Sequence, residues 1–86
     1  MGTLFDDKAF EQFMEWIREN RKSAERVNEL IKDIHRNGAA HGIGKPEHLK
    51  YIDAWSRRID HGNRLVYKVN TNGDVHVLSC KGYYED

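Results

Sequence analysis

An α+β domain, with an N-terminal αα-hairpin packed on one face of an antiparallel β-sheet, is what this sequence predicts. Three observations carry it: helical apolar spacing in two successive segments before Gly38, strand-like runs of Val, Ile, Leu and aromatic residues after Trp55, and turn signals separating those runs. Residues 1–86 are expected to form a single domain, since half of such a chain could not bury enough surface to offset its own chain entropy.

In chain order, Thr3 to Phe5 reads as a short edge strand, after which Asp6 or Asp7 offers a side-chain oxygen to cap a helix. Phe10, Phe13, Met14 and Ile17 then recur at helical spacing, and this stripe is expected to be core. A polar joint at Asn20 to Ser23 leads to a second helix with Ala24, Val27, Leu30, Ile31 and Ile34 facing inward, stopped by Asn37-Gly38. Glycines and the only proline between Gly38 and Lys50 predict a loop. Strands follow at Trp55 to Ile59, Arg64 to Val69 and Val75 to Cys80, joined by Asp60-His61-Gly62-Asn63 and by a turn at Asn72-Gly73.

The 38% hydrophobic and 33% charged shares suit a folded, soluble domain rather than a disordered chain. No run approaches the length of a membrane span and no signal peptide is evident at the start, so a cytoplasmic address and no membrane partner are expected. Cys80, the only cysteine, is expected to pack as a small buried hydrophobe. Zero net charge argues against coating nucleic acid by bulk electrostatics. Between Lys32 and Lys68, however, bases outnumber acids, and His35, His41, His48 and His61 lie there too, which suits a localised anion site.

Because the helices cover only one sheet face, residues of one strand parity look away from them. Arg57, Arg58, Arg64 and Lys68 lie on adjacent strands, so at least two of these cations are expected to be cross-strand or diagonal neighbours. Such a cluster is either solvated and compensated by Asp60, or bridged by a bound anion.

Cutting RNA without metal needs a base for the 2′-hydroxyl, cations around the phosphorane and an acid for the departing 5′-oxygen. Glu47 is the carboxylate of the basic loop; nearby Lys45, His48 and Lys50 would keep it ionised, whereas burial would suit it as a base. Tyr83 and Tyr84 offer phenols that could donate a proton beside cations or stack on a base. The histidines lack metal-ligand spacing, and no HEXXH, paired CXXC, P-loop or serine-elbow pattern is present, so neither metal nor cofactor is expected.

Four ordered motifs, N-E-L-I-K-D-I at Asn28 to Ile34, G-K-P-E-H-L-K at Gly44 to Lys50, W-S-R-R-I at Trp55 to Ile59 and R-L-V-Y at Arg64 to Tyr67, resemble the YoeB/Txe toxins of the RelE superfamily. The similarity runs from about Leu4 to Tyr84. It implies a RelE/YoeB-like, microbial-ribonuclease-type fold, a homodimer, entry into the ribosomal A site, cleavage of messenger RNA there, and neutralisation by a YefM/Axe-like antitoxin. By the same resemblance Glu47 matches the general base, Arg64 the transition-state arginine and Arg58 a further active-site cation. Lys50 matches a position near the RNA, Lys45 a looser phosphate contact, and Tyr84 the terminal tyrosine.

The family's usual ending carries a histidine general acid where this chain has Tyr83. Either Tyr83 is a natural substitute, or the change attenuates the toxin. The alternative implied by attenuation is a catalytically weak module that binds ribosome and antitoxin.

Overall fold

The computed structural model describes residues 2–83. Its elements are β1 (Thr3–Phe5), α1 (Asp7–Glu19), α2 (Arg21–Asn37), β2 (Glu47–His48), β3 (Trp55–Arg58), β4 (Arg64–Val69) and β5 (Val75–Ser79). The two helices pack on one face of a five-stranded sheet of order β1-β5-β4-β3-β2.

The sheet is mixed rather than wholly antiparallel. β1 runs parallel to β5, with Thr3 opposite Val75 and Phe5 opposite Val77. A three-residue edge strand carries no directional signal; its orientation follows from a chain that leaves through the helices and returns to its flank. The β3–β4 and β4–β5 pairs are antiparallel, as expected, and β2 adds an antiparallel pair with β3. The loop predicted up to Lys50 also ends early, because Glu47 and His48 pair with Ser56 and Trp55. Two residues are too few to show a strand period.

α2 is built as its spacing predicts: Ala24, Val27, Leu30, Ile31 and Ile34 are all buried. Asn20 alone makes the joint, since its backbone N–H closes α1 on the Trp16 carbonyl while its side chain accepts from the Ser23 N–H at 3.3 Å. At the far end Gly38 takes φ 87°, where a side chain would be strained.

α1 corrects the expectation. Phe10 is 52% exposed and Met14 is exposed, while Ala9 and Trp16 are buried and only Phe13 and Ile17 of the predicted stripe pack partly against the core. A polar demand rotates the helix. Beyond β5, Cys80 lacks a ladder partner, so the Gln12 side chain accepts from its N–H at 2.7 Å and Trp16 Nε1 donates to its carbonyl at 2.7 Å. Apolar spacing cannot register that constraint. Asp6 likewise stands at the N-cap without a side-chain cap bond, its carboxylate pairing with His76 at 2.6 Å instead. Cys80 itself is buried as expected, and burial pushes its thiol up to about 12.

Strand parity separates the arginines of β3. Arg57, opposite Leu65, points to the helix side and is 0% exposed, so of the four cations considered it is Arg58 and Arg64 that are cross-strand neighbours on the other face. Its Nε donates to Tyr67 Oη at 2.9 Å, Nη1 to Asp33 Oδ2 at 2.6 Å and to the Ile43 carbonyl at 3.0 Å, and Nη2 to the carbonyls of Gly38 at 2.9 Å and His41 at 2.7 Å. Tyr67 Oη in turn donates to the Ala39 carbonyl at 2.6 Å. Asp33 also accepts from the Ile43 N–H at 3.0 Å and from Asn37 Nδ2 at 2.8 Å.

This buried node fastens the segment 38–43 to the sheet. Its closeness explains Gly42: a Cβ there would lie 1.8 Å from Asp33 Oδ2, and φ is 124°. The Arg57 hydrogen bond holds the Asp33 carboxyl below its ordinary range against the opposing effect of burial. Burial raises the Tyr67 phenol, with Arg57 acting against it.

Candidate functional site

The opposite face of the sheet carries a second set of polar side chains. Glu47 pairs with Ser56, Ser56 with Val66, and Arg58 with Arg64, so alternation puts these residues on one face across three strands. Leu49, Ala54 and Val66, with Leu78 against them, form a small apolar floor beside it.

Arg64 is the centre of the set. Its Nη1 donates to Ser56 Oγ at 2.8 Å and to Glu47 Oε1 at 3.1 Å. The burial of the two partners differs: the Arg64 side chain is 10% exposed and that of Glu47 is 65%. A cation held by a floor hydroxyl, facing an accessible carboxylate, is rigid on one side and reachable on the other. The Tyr83 ring covers the guanidinium, 5.6 Å from Cζ to centroid.

Beside this pair opens a pocket of about 170 Å³ lined by Arg58, Asp60, His61, Arg64 and Tyr83. Its walls come from parts of the chain that are tied together. Asn63 Nδ2 donates to both Asp60 oxygens at 3.0 and 3.1 Å, and the Asn63 Oδ1 accepts from the Gly82 N–H at 2.7 Å. The Arg64 N–H then donates to the Gly82 carbonyl at 2.9 Å. The β3–β4 turn therefore fixes where the C-terminal segment leaves β5, and with it the position of Tyr83.

On the other flank the Arg58 N–H donates to the Gly44 carbonyl at 2.7 Å. The Arg57 node thus holds the segment up to Ile43, the next hydrogen bond holds Gly44, and Glu47 enters β2 three residues later. Arg26 Nη2 adds a contact at 3.3 Å to the Arg58 carbonyl.

Of the residues singled out in the sequence, Glu47, Arg58, Arg64 and Tyr83 are brought together. Lys45 and Lys50 are exposed at either end of β2 and do not line the pocket; Lys45 adopts φ 53°. Tyr84 lies outside the described residues. Sequence reading missed Ser56, Asn63 and Gly82 as parts of the site. Only the turn signal at Asp60 to Asn63 hinted at their neighbourhood. It also gave His61 no role beyond local charge. Among the described residues no three His, Cys, Asp or Glu side chains gather as a metal site, and no helix is long and apolar enough to cross a membrane.

A family model described as the YoeB-like toxin of bacterial type II toxin–antitoxin systems matches residues 5–84. This chain belongs to that family. Toxin YoeB of Mycobacterium bovis is 44% identical over 82 residues, covering 93% of this chain and 92% of the relative. In structure, this YoeB-like toxin superposes on the Staphylococcus aureus YoeB dimer with a TM-score of 0.92 at 41% identity, covering 98% of each chain. A chain of the S. aureus heterotetrameric YoeB–YefM toxin–antitoxin complex gives 0.89 at 44% identity, covering 95% of each. The two-helix, five-strand architecture is thus that of solved YoeB toxins.

Proposed function

We propose that this toxin is an endoribonuclease that cleaves messenger RNA in the ribosomal A site, with no cofactor. The observation that carries the reading is the Glu47 carboxylate held 3.1 Å from the Arg64 guanidinium, with Arg58 paired to Arg64 across the strands. In-line attack by a ribose 2′-oxygen requires a base and converging cations around one phosphate. Glu47 takes the 2′-hydroxyl proton. Arg64 and Arg58 bear the charge that builds on the phosphorane oxygens, and Tyr83 forms the wall on which the adjoining nucleotide rests. Lys45 and Lys50 contact flanking phosphates, and Tyr84 has the role that its match to the family's terminal tyrosine implies. The products are a 2′,3′-cyclic phosphate and a 5′-hydroxyl. Zero net charge fits weak binding to free RNA, with the ribosome supplying orientation.

The S. aureus relatives are a YoeB dimer and a YoeB–YefM complex. By that likeness this chain pairs with a second copy and is neutralised in the cytoplasm by a YefM/Axe-like antitoxin laid over the arginine face. The test is cleavage on ribosomes programmed with messenger RNA. Primer extension is expected to show codon-linked breaks with the chain as it stands and none with Glu47→Gln; equal breakage by both proteins would end the proposal.

A second reading is favoured by one observation, the phenol at Tyr83 where the resemblance implies an imidazole: a module that binds ribosome and antitoxin but cuts weakly. Growth arrest induced by the chain and by Tyr83→His separates the two. Equal toxicity dismisses attenuation, and a large gain dismisses natural substitution.

A further inference from the structure

Scission requires a proton at the departing 5′-oxygen; in-line attack puts that oxygen opposite the 2′-oxygen, away from a Glu47 that takes the 2′-proton, and a guanidinium is too weak an acid to supply it. The pocket beside the Glu47–Arg64 pair is lined by one imidazole, that of His61, together with Tyr83. We infer that His61, presented by the β3–β4 turn, is the proton donor to the leaving group, while Tyr83 holds the Arg64 guanidinium in place. The inference rests on the nuclease reading of the same site.

The turn is built to hold that position. The Asp60 carboxylate accepts from the Gly62 N–H at 2.9 Å and from Asn63 Nδ2, and Asn63 is tied onward to Gly82. The charged groups sharing the pocket with His61 are Arg58 from β3, Arg64 from β4 and Asp60 from the turn, with the Tyr83 phenol from the C-terminal segment. A bound phosphodiester brings the negative charge that lets an imidazolium sit beside two guanidinium groups. The Tyr83 ring lies over the Arg64 guanidinium, a contact that positions the cation whether or not the phenol exchanges a proton. A phenol, with a reference pKa of about 10, is also a poorer donor near neutrality than an imidazole at about 6.5.

The step balances without an external reagent. The 2′-oxygen gives its proton to Glu47 and bonds to phosphorus, the P–O5′ bond breaks, and O5′ takes the proton from the His61 imidazolium. Water then returns a proton to the imidazole and removes one from the Glu47 carboxyl.

Single-turnover cleavage on programmed ribosomes across about pH 5.5 to 8.5, the range in which an imidazole titrates, tests this. The rate of the chain as it stands is expected to fall as pH rises above neutrality. His61→Gln is expected to lose about 10²- to 10⁴-fold and to lose that alkaline limb, whereas Tyr83→Phe keeps the limb. Thermal melts matching the parent show that the exposed-turn variant remains folded. Cleavage by His61→Gln with the limb intact would overturn the inference, as would a Tyr83→His gain of the size acid catalysis supplies, since the pocket would then have lacked an acid. If the parent cuts, Glu47→Gln does not, and His61→Gln does, only the donor assignment falls. If the parent and Glu47→Gln are equally inactive, the nuclease reading falls and the donor with it.

Discussion

Arg57 and Arg64 sit one cross-strand step apart on adjacent strands, yet they face opposite sides of the sheet and do opposite work. Arg57 is enclosed on the helix side, each of its three nitrogens bonded within the fold. Arg64 lies on the other side, gripped from below by Ser56 and facing an exposed carboxylate. A guanidinium in the first setting organises backbone, because its fork reaches several carbonyls at once. In the second it is aimed at a place where anionic charge can arrive. Identical side chains acquire different functions from the partners that saturate them.

The largest effect is expected on the helix side. Arg57→Ala leaves Asp33 buried beside unpaired carbonyls, which costs about 3–5 kcal/mol and lowers the midpoint of thermal unfolding by at least about 12 °C for a domain of this size. If Arg57→Ala melted with the parent, the distinction between the two arginines would collapse. On the open face, Arg64→Ala is expected to cut ribosome-dependent cleavage by about 10²- to 10³-fold, as when one stabilising donor of a developing oxyanion is removed. Its loss of stability should be smaller than that of Arg57→Ala, and unfolding curves on both variants would show whether that order holds.

Acid sharpens the same contrast. Asp33 has its carboxyl lowered by Arg57, so it binds protons less readily folded than unfolded. Its stabilising contribution is therefore complete above the unfolded value, about 3.9, and is lost as pH falls through the lower folded value. Melting midpoints recorded downward from about pH 6 should drop in that acid window, and Asp33→Asn should flatten the drop while lowering stability at neutral pH. The smallest effect is expected at the misread stripe of α1: Phe10 is half exposed and touches the core side through an edge contact with the Phe5 ring, so Phe10→Ser should cost about 1 kcal/mol. A loss of several times that amount by chemical denaturation would return Phe10 to the core.

Several parts of this outcome were legible beforehand. The α2 stripe, both strand-joining turns, the burial of Cys80 and the neighbouring of Arg58 with Arg64 all follow from local spacing, and local spacing survives folding. The rotation of α1 was not legible, because it answers to hydrogen bonds with Cys80, more than 60 residues away in the chain. Nor was the Arg57 node, whose partners at Asp33, Tyr67 and the 38–43 segment converge only after three elements have packed. His61 was visible as a charge in a turn; its proximity to Arg64 and Tyr83 required the link from Asn63 to Gly82.

By itself, then, the chain of residues determined both helices and every strand but β2, which face of α2 is apolar, and the ordered motifs that mark a YoeB-like toxin. Tertiary structure decided the parallel direction of β1, the side to which each arginine of β3 points, and which turn meets the C-terminal segment. The reason is that a strand's alternation has a period but no absolute phase. Only the arrival of the helices on one face makes Arg57 an internal brace and leaves Arg58 and Arg64 on the other.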